Sequence, residues 1–587
     1  MRARLRPSRV ATIAGAAILV AALAWVAWVG VRGWLAKEEL DSARALTTDL
    51  RSAVESGDLE AATAHTQRML AHAEAASDLT SDPLWRAAEA VPVAGANFAA
   101  ARVLSAEVTG VLSDAALPMM HSARLLAEQL RLPEGGIDTA LLADQRTALD
   151  GAEATLMSAS TELAKIDLDP LLPPVSAGVR QLDTAVSDLL PIVGSLGDTA
   201  AVLPASLGAD GPRTILVMLQ NNAELRTSGG ITGSFVELRA ESGRLTLISQ
   251  ADSSEFKRAD SPVLPIPAAT LALYGDQVGR FVQNATMPAD FDLTARLVSH
   301  WWEGRTGSAP DTVLSVDPLV LRSLLEVTGP LATTTGTLTA DELVPQLLVE
   351  PYMSLDSSGQ TAMFRTTAAA VFTEVADFDL DPVAFAAALA QPIAQGRVSI
   401  WSAHPDEQEV LARTTLAGPA ARQRAAGPDA VAVYFNDATG GKMDSLLDVG
   451  IAAGSASCRA DGRQDILVSV TLTSTVDHGT AQQLPPAMTG GGHYGARIGD
   501  IATNVSVSAP EGAFFGGVTA GGRNLVSVDV EEEGFPVSAV RVDLAPGESQ
   551  TIDFRFISAG TDPIDPQVMH TPLLADVPVS DARVECG

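Results

Sequence analysis

The apolar positions along this chain fall into four successive rhythms. From Ala11 to Val31 no charged residue interrupts the run. At about 1.5 Å per residue a helix of that extent crosses a hydrocarbon core of about 30 Å. From about residue 35 to 205 alanine is abundant, and Leu40, Leu46, Leu50 and Val54 recur at helical steps, which predicts a series of helices. Between 213 and 430 short apolar runs alternate with helical stretches. From 431 onward, strand-like runs are separated by Gly, Pro and Asp.

Breaks subdivide these regions. Ser56-Gly57-Asp58 ends one helix and can cap the next. Asp82-Pro83 and Val91-Pro92 bracket a short segment holding Trp85. Leu132 to Gly136 and Asp169 to Pro174 are further breaks, and Leu203 to Pro212 is a linker. Up-and-down helices of this kind form a bundle or stalk.

Thr214–Leu219 is rich enough in Ile, Val and Leu for a buried strand. Ser234–Ala240 and Arg244–Ser249 are strands joined by a hairpin turn at Glu241-Ser242-Gly243. Val313–Val316 is a strand, and Asp317-Pro318 starts a helix. A crossover connection would bring Ile215–Leu219 and Val313–Val316 into one sheet. Helices are predicted near 293–302, 340–348, 360–377, 382–395 and 405–413, with a strand at Arg397–Ser402. Beyond 430, Val431–Phe435, Asp465–Ser474, Asn504–Ser508, Asn524–Val530, Ser538–Leu544 and Gln550–Ile557 are strands of a β-sandwich. The expected fold class is thus multi-domain α+β. It comprises a cytoplasmic tail (1–10), a transmembrane anchor (11–34), a helical domain (35–205), a central α/β sheet domain (213–430) and a C-terminal β-sandwich (431–587).

Composition sharpens this outline. At 587 residues the chain exceeds what one core fills, so three or four domains are expected. The net charge of −32 excludes a nucleic-acid partner, which requires a basic face. Arg2, Arg4, Arg6 and Arg9 precede the apolar run without an acid, while Glu38, Glu39 and Asp41 follow it. The positive-inside rule then puts the N-terminus in the cytoplasm and the bulk outside, on a single-pass anchor in the cell membrane. Trp25, Trp28 and Trp34 suit an interfacial belt. Cleavage after Ala22-Leu23-Ala24 would leave Trp25–Val31 apolar and exposed, which favours an uncleaved anchor. The two cysteines, Cys458 and Cys586, can close a disulfide in an oxidising compartment.

Candidate chemistry gathers after the first strand of the central domain. Gln220 to Arg226 is followed by Ser228-Gly229-Gly230 and Gly233. This stretch reads as a polar loop at the mouth of a sheet. Arg226 offers a planar fork for phosphate or carboxylate, and Asn221 and Asn222 offer both donors and acceptors for sugar hydroxyls, with Glu224 beside them. Gly229, Gly230 and Gly233 would let backbone approach a ligand. The alternative is a structural loop whose polar groups cap strand ends. Asp252, Asp290 and Asp292 are candidates for a carboxylate base or a divalent-metal site, or else solvated acids. The scattered histidines form no zinc pattern. No Walker loop or G-x-S-x-G elbow occurs, and Ser254 to Lys257 is an isolated S-x-x-K without supporting motifs.

Several strings in order resemble a bacterial envelope family, domain of unknown function 4012. They are Asp82-Pro83-Leu84-Trp85 and Val91 to Gly95 after the anchor; Gln220 to Arg226 with Gly229-Gly230 and Gly233-Ser234; Pro288 to Phe291; Val316-Asp317-Pro318; Thr328-Gly329-Pro330; Trp401 with Glu407-Gln408; and Gly441 to Asp444. The resemblance runs from about residue 10 to 560 and implies an architecture rather than a reaction. Ile231 stands where that family usually has an aromatic. A weaker similarity is to the LytR-CpsA-Psr phosphotransferases, which move glycopolymers from a polyprenyl carrier to the cell wall. That similarity implies phosphate-handling roles for Arg226, Asp252 and Arg280.

Together these readings give an expectation of a membrane-anchored extracytoplasmic protein. It binds or assembles cell-envelope glycopolymer through the Asn221–Gly233 stretch, with a lipid-linked glycan or cell-wall polymer as partner. One alternative is a glycopolymer transferase using Asp252 as its carboxylate. Another is a non-catalytic adhesin or scaffold.

Overall fold

The computed structural model describes residues 9–132, 135–333, 336–377 and 382–586. The chain divides into two compact units. One comprises residues 1–130 with 140–201, and the other 131–139 with 202–587.

The first unit is helical, as the alanine-rich periodicity predicts. Helix Arg9–Ala45 carries the apolar run, and Thr47–Glu55, Leu59–Thr80, Gly95–Gly110, Leu117–Gln129, Thr139–Ala164 and most of Pro173–Ser206 follow. Asp58 caps Leu59–Thr80 through a bond from the Ala61 amide, and Asp82 caps the short helix Pro83–Ala88. Trp85 is almost fully buried. Its indole N–H donates to the Phe98 carbonyl at 3.0 Å, and its ring meets Phe98 edge to face. Val29 and Trp25 pack on the same cluster. The far end of the apolar helix meets protein at Val29 and Trp25, whose indole donates to the Leu84 carbonyl, while Trp28 and Trp34 remain exposed.

Among the described residues, three helices are long and apolar enough to cross a membrane: Ile13–Val54, Gly95–Gln129 and Pro173–Ser206. Their apolar windows are 6%, 28% and 22% buried respectively. The N-terminal helix is thus the barest, and the other two each turn a buried face to the bundle. Val179, Val186 and Val193 of the third pack against Leu156 and Ala159.

The second unit is α+β. Its mixed sheet comprises β1 (Arg213–Arg226), β2 (Gly229–Glu241), β3 (Arg244–Asp252), β4 (Thr312–Val316) and, after a small hairpin of β5 (Leu331–Thr333) and β6 (Gly336–Leu338), β7 (Val398–Ser402), in the order β3-β2-β1-β4-β7. The parallel pairing of Ile215–Leu219 with Thr312–Val316 is the one expected. The β2–β3 hairpin turns at Ser242-Gly243, both at positive φ, as a two-residue turn requires. Side chains alternate along β1. Leu216 and Met218 pack toward Phe291, Leu297 and Trp302 of helix Phe291–Thr306. Val217 and Leu219 face the opposite way with Val236, Leu238, Leu314 and Val316.

The remaining strands are β8 (Ala430–Asp437), β9 (Leu447–Ala456), β10 (Asp465–Ser474), β11 (Ile501–Ser508), β12 (Phe514–Ala520), β13 (Arg523–Leu525), β14 (Val528–Glu532), β15 (Phe535–Leu544), β16 (Ser549–Ile557), β17 (Gln567–His570) and β18 (Val579–Asp581). They form two sheets, β13-β12-β16-β10-β9-β18 and β14-β15-β11-β8-β17. Their inward residues, among them Val433, Phe435, Val468, Val505 and Phe554, share one core. Cys458 and Cys586 form a disulfide with Cα atoms 5.1 Å apart.

One feature departs from the sequence reading. The stretch from Gln220 to Arg226 is the second half of a long strand, followed by a two-residue turn and β2. It is not a loop. Its polar side chains find partners far away in sequence, which no local pattern can reveal. The mixed sheet and the β-rich part keep separate cores but lie within one compact unit, 131–139 with 202–587. Leu225 of β1 lies in the core shared by the two C-terminal sheets. Thr227 exchanges hydrogen bonds with Asn436.

Candidate functional site

The end of β1 builds a buried polar cluster. Glu224 bonds Arg226 Nη2 at 3.1 Å and also pairs with the Lys442 ammonium. Arg226 is 5% exposed; its guanidinium further donates to the carbonyls of Leu225 and Asp437 and to Asn284 Oδ1. Asp444 Oδ2 accepts the Leu225 amide at 2.7 Å, and the Asp437 carboxylate accepts the amides of Thr439 and Gly440.

Burial opposes ionisation of Glu224, but Lys442 and Arg226 outweigh it and hold the carboxyl below its usual range. Burial, together with the Glu224 charge, raises Asp437 to about 6. Asp444 is pushed well above its usual range, by burial first and Asp437 second. Two cations, Arg226 and Lys442, therefore sit among three buried acidic groups, with Glu224 held toward its charged form and Asp437 and Asp444 pushed toward their neutral form.

A second knot lies beside it. Asp317 caps helix Pro318–Thr328 through the amides of Leu319 and Val320. Its Oδ2 also accepts from Arg397 at 2.6 Å and from Asn222 Nδ2 at 3.0 Å. Asn222 is nearly fully buried and donates also to the Pro572 carbonyl.

The glycines serve packing here. A side chain at Gly230 would meet the Asn221 carbonyl at 2.3 Å, and one at Gly229 would meet Gln220 Oε1 at 2.5 Å. They let β2 pass close over a bulged β1. What Gly229 and Gly230 make room for here is the Gln220 side chain and the Asn221 carbonyl. Gly233, by contrast, has nothing within 4 Å of where a side chain would stand.

The remaining candidates are dispersed. Asp252 caps the turn Ser253–Glu255 in a capping box and accepts Thr361 Oγ1 at 3.2 Å. Arg280 pairs with Asp276 at 2.9 Å and bonds the Ala259 carbonyl. Asp290 caps helix Phe291–Thr306, and burial raises its carboxyl. Asp292 bonds Arg296 and the Trp401 indole. Among the described residues, no group of three or more His, Cys, Asp or Glu is placed to hold a metal.

The open volume lies elsewhere. A cavity of about 310 Å³ sits against the β1-β2-β4 face. The sheet contributes Val217, Leu219, Val236, Leu238, Leu314 and Val316. Helix Pro318–Thr328 contributes Val320, Leu321 and Leu324, and the π-helical segment Pro345–Val349, after the β5–β6 hairpin, contributes Leu347 and Leu348. Helix Ser357–Asp377 covers it with Phe364, Thr367, Ala368, Val371 and Phe372. Polar lining is sparse: Gln220, Asn221, Ser234, Asp317, Tyr352 and Thr367.

Of the sequence candidates, Asn221 and Gly233 line this cavity; Arg226, Asp252, Arg280 and Asp290 do not. Asn221 Oδ1 accepts the Ala223 amide, and Nδ2 donates to the Tyr352 hydroxyl at 2.7 Å. Lys442 stands over the Tyr352 ring, 5.2 Å from its centroid. Sequence reasoning missed Tyr352 and Lys442, and it predicted the helix over 360–377 without the cavity it covers. The stripe Phe364, Ala368, Val371 and Phe372, at helical spacing, was the available signal.

Fold and site define an α+β protein bearing an N-terminal apolar helix and a largely apolar cavity under one sheet. Residues 210–352 match a family model described as "Protein of unknown function (DUF4012)". The resemblance to that family is shown over this segment, which runs from β1 to Tyr352. The likeness to the LytR-CpsA-Psr phosphotransferases is not shown. No curated protein matches the chain.

Proposed function

We propose that this is a membrane-anchored, extracytoplasmic protein that binds the apolar chain of a lipid-linked cell-envelope glycan, and so handles envelope glycopolymer. The cavity carries the reading. At about 310 Å³ it falls at the lower end of the range for small-molecule sites, which are mostly apolar with a few placed polar groups. A cavity this apolar favours hydrocarbon over a bare sugar, whose hydroxyls would be left without partners.

The N-terminal apolar helix supports residence at a membrane, where such chains are found. The four arginines before it support a cytoplasmic N-terminus, and the disulfide supports an oxidising compartment for the bulk. A transferase reading gains nothing from Asp317, the lining carboxylate, because its oxygens are committed to Arg397, Asn222 and the helix cap.

The test is lipid recovery. Full-length protein is extracted from membranes in mild detergent and its bound lipid measured by native mass spectrometry. A near-stoichiometric lipid is expected, with loss of most of it in Ala368→Trp, which fills the cavity. Wild type without lipid, or equal lipid in Ala368→Trp, would overturn the proposal.

A further inference from the structure

We infer that the chain held in this cavity carries a neutral oxygen acceptor, an ester or amide carbonyl, and that Tyr352 reads it. The ligand class is therefore an acyl chain rather than a bare hydrocarbon or one whose phosphate enters the cavity. The inference rests on the binding proposed above.

Tyr352 lines the cavity and is held on three sides. Asn221 Nδ2 donates to its hydroxyl at 2.7 Å, Phe364 lies 6.0 Å away between ring centroids, and Lys442 stands over the ring. Asn221 is itself fixed by the Ala223 amide. The bond from Asn221 uses an acceptor lone pair of the hydroxyl and leaves the phenol proton unspent. Among the described residues the phenol makes no hydrogen bond as a donor, and Tyr352 is half-buried at the cavity wall. Burial keeps Tyr352 above its usual range, so it remains a neutral donor at neutral pH.

Gln220, 4% exposed, lines the same cavity, and its Nε2 likewise lacks an acceptor. Gln220 Nε2 is walled off from the space, but an unspent phenol donor beside it is costly unless a ligand answers it. The charge of the acceptor follows from the lining. Among the described residues it contains no Lys, Arg or His, and its one carboxylate, Asp317, is paired with Arg397. An anion entering this space would lose its hydration without gaining a counter-charge. A carbonyl needs only the phenol donor.

The experiment uses the full-length protein in detergent, delipidated, at pH 8, with three pyrene-labelled probes of equal chain length: a methyl ester, the free acid and the alkane. The ester is expected to bind about tenfold more tightly than the alkane, the worth of one buried hydrogen bond, with the acid weaker than the ester. Tyr352→Phe should erase the ester's advantage while leaving alkane affinity within about twofold. Equal binding of ester and alkane by wild type, tightest binding of the acid, or a Tyr352→Phe loss shared by all three probes would overturn the inference. In the first and second of these outcomes the apolar-chain reading survives. If no probe binds, that reading fails and this inference falls with it.

Discussion

Lys442 stands with its ammonium over the ring of Tyr352 while pairing with Glu224, 218 residues away in the chain. One side chain thus joins the wall of the apolar cavity to the buried charges at the end of β1. Breaking a buried pair by removing one partner strands the other charge, at a cost of about 3–5 kcal/mol. Lys442→Met is expected to lower unfolding free energy by that order in urea titrations. Glu224→Gln combined with Lys442→Met should recover part of the loss, because the buried carboxylate that kept only Arg226 is then gone while Arg226 retains Asn284 and two carbonyls.

Arg226 separates a structural role from a ligand role. Its guanidinium is spent on Glu224, Asn284 and two carbonyls and does not line the cavity. Arg226→Ala is expected to destabilise by about 3–5 kcal/mol. At temperatures where the variant stays folded, its affinity for an apolar probe should match wild type. Denaturation and probe titration on the same sample check both halves.

The Cys458–Cys586 disulfide closes a loop across 128 positions. Chain-entropy arguments assign a loop of this order about 4–5 kcal/mol, by constraining the unfolded chain. Cys458→Ser with Cys586→Ser should lower the thermal midpoint measurably, and a reducing agent should do the same to wild type but not to the variant.

Glu532 supplies a pH signature. Burial raises its carboxyl from 4.5 to about 7, with Glu533 and Asp290 adding to the rise and the Thr270 hydroxyl opposing it. An acid raised in the folded state holds its proton more tightly there than in the unfolded chain. Its contribution is full below about 4.5 and is lost as pH rises toward about 7, by about 3 kcal/mol in all. Glu532→Gln removes this dependence, so wild type minus variant should fall in stability across that window and stay flat above it. Unfolding free energies measured from pH 4 to 8 would show the slope.

Much of the secondary structure was legible because it is written locally. Asp58, Asp82 and Asp317 cap helices where the sequence places them. The glycine turn at 243 and the alternation in β10 gave strands and hairpin. β9 and β12 escaped because their glycines and alanines blur the alternation. The site was less legible for a different reason. Glu224, Asn222 and Arg226 looked like ligand groups, being polar and clustered. Their partners, Lys442, Asp317 and Asp437, come from distant segments. Composition identifies a polar residue; only the fold reveals whether it is already answered. The cavity was the converse. Its lining is ordinary core by type, and only the imperfect closure of helix Ser357–Asp377 on the sheet makes it a space.

Leu225 has a further implication. It leaves the sheet it is paired in and fills a place among the side chains of the two C-terminal sheets. A truncated polypeptide starting at 430 would therefore carry a hole where a leucine belongs, and the price of that vacancy falls on its own fold. Anyone dissecting this molecule should keep residues 202–587 together rather than cut between the sheets.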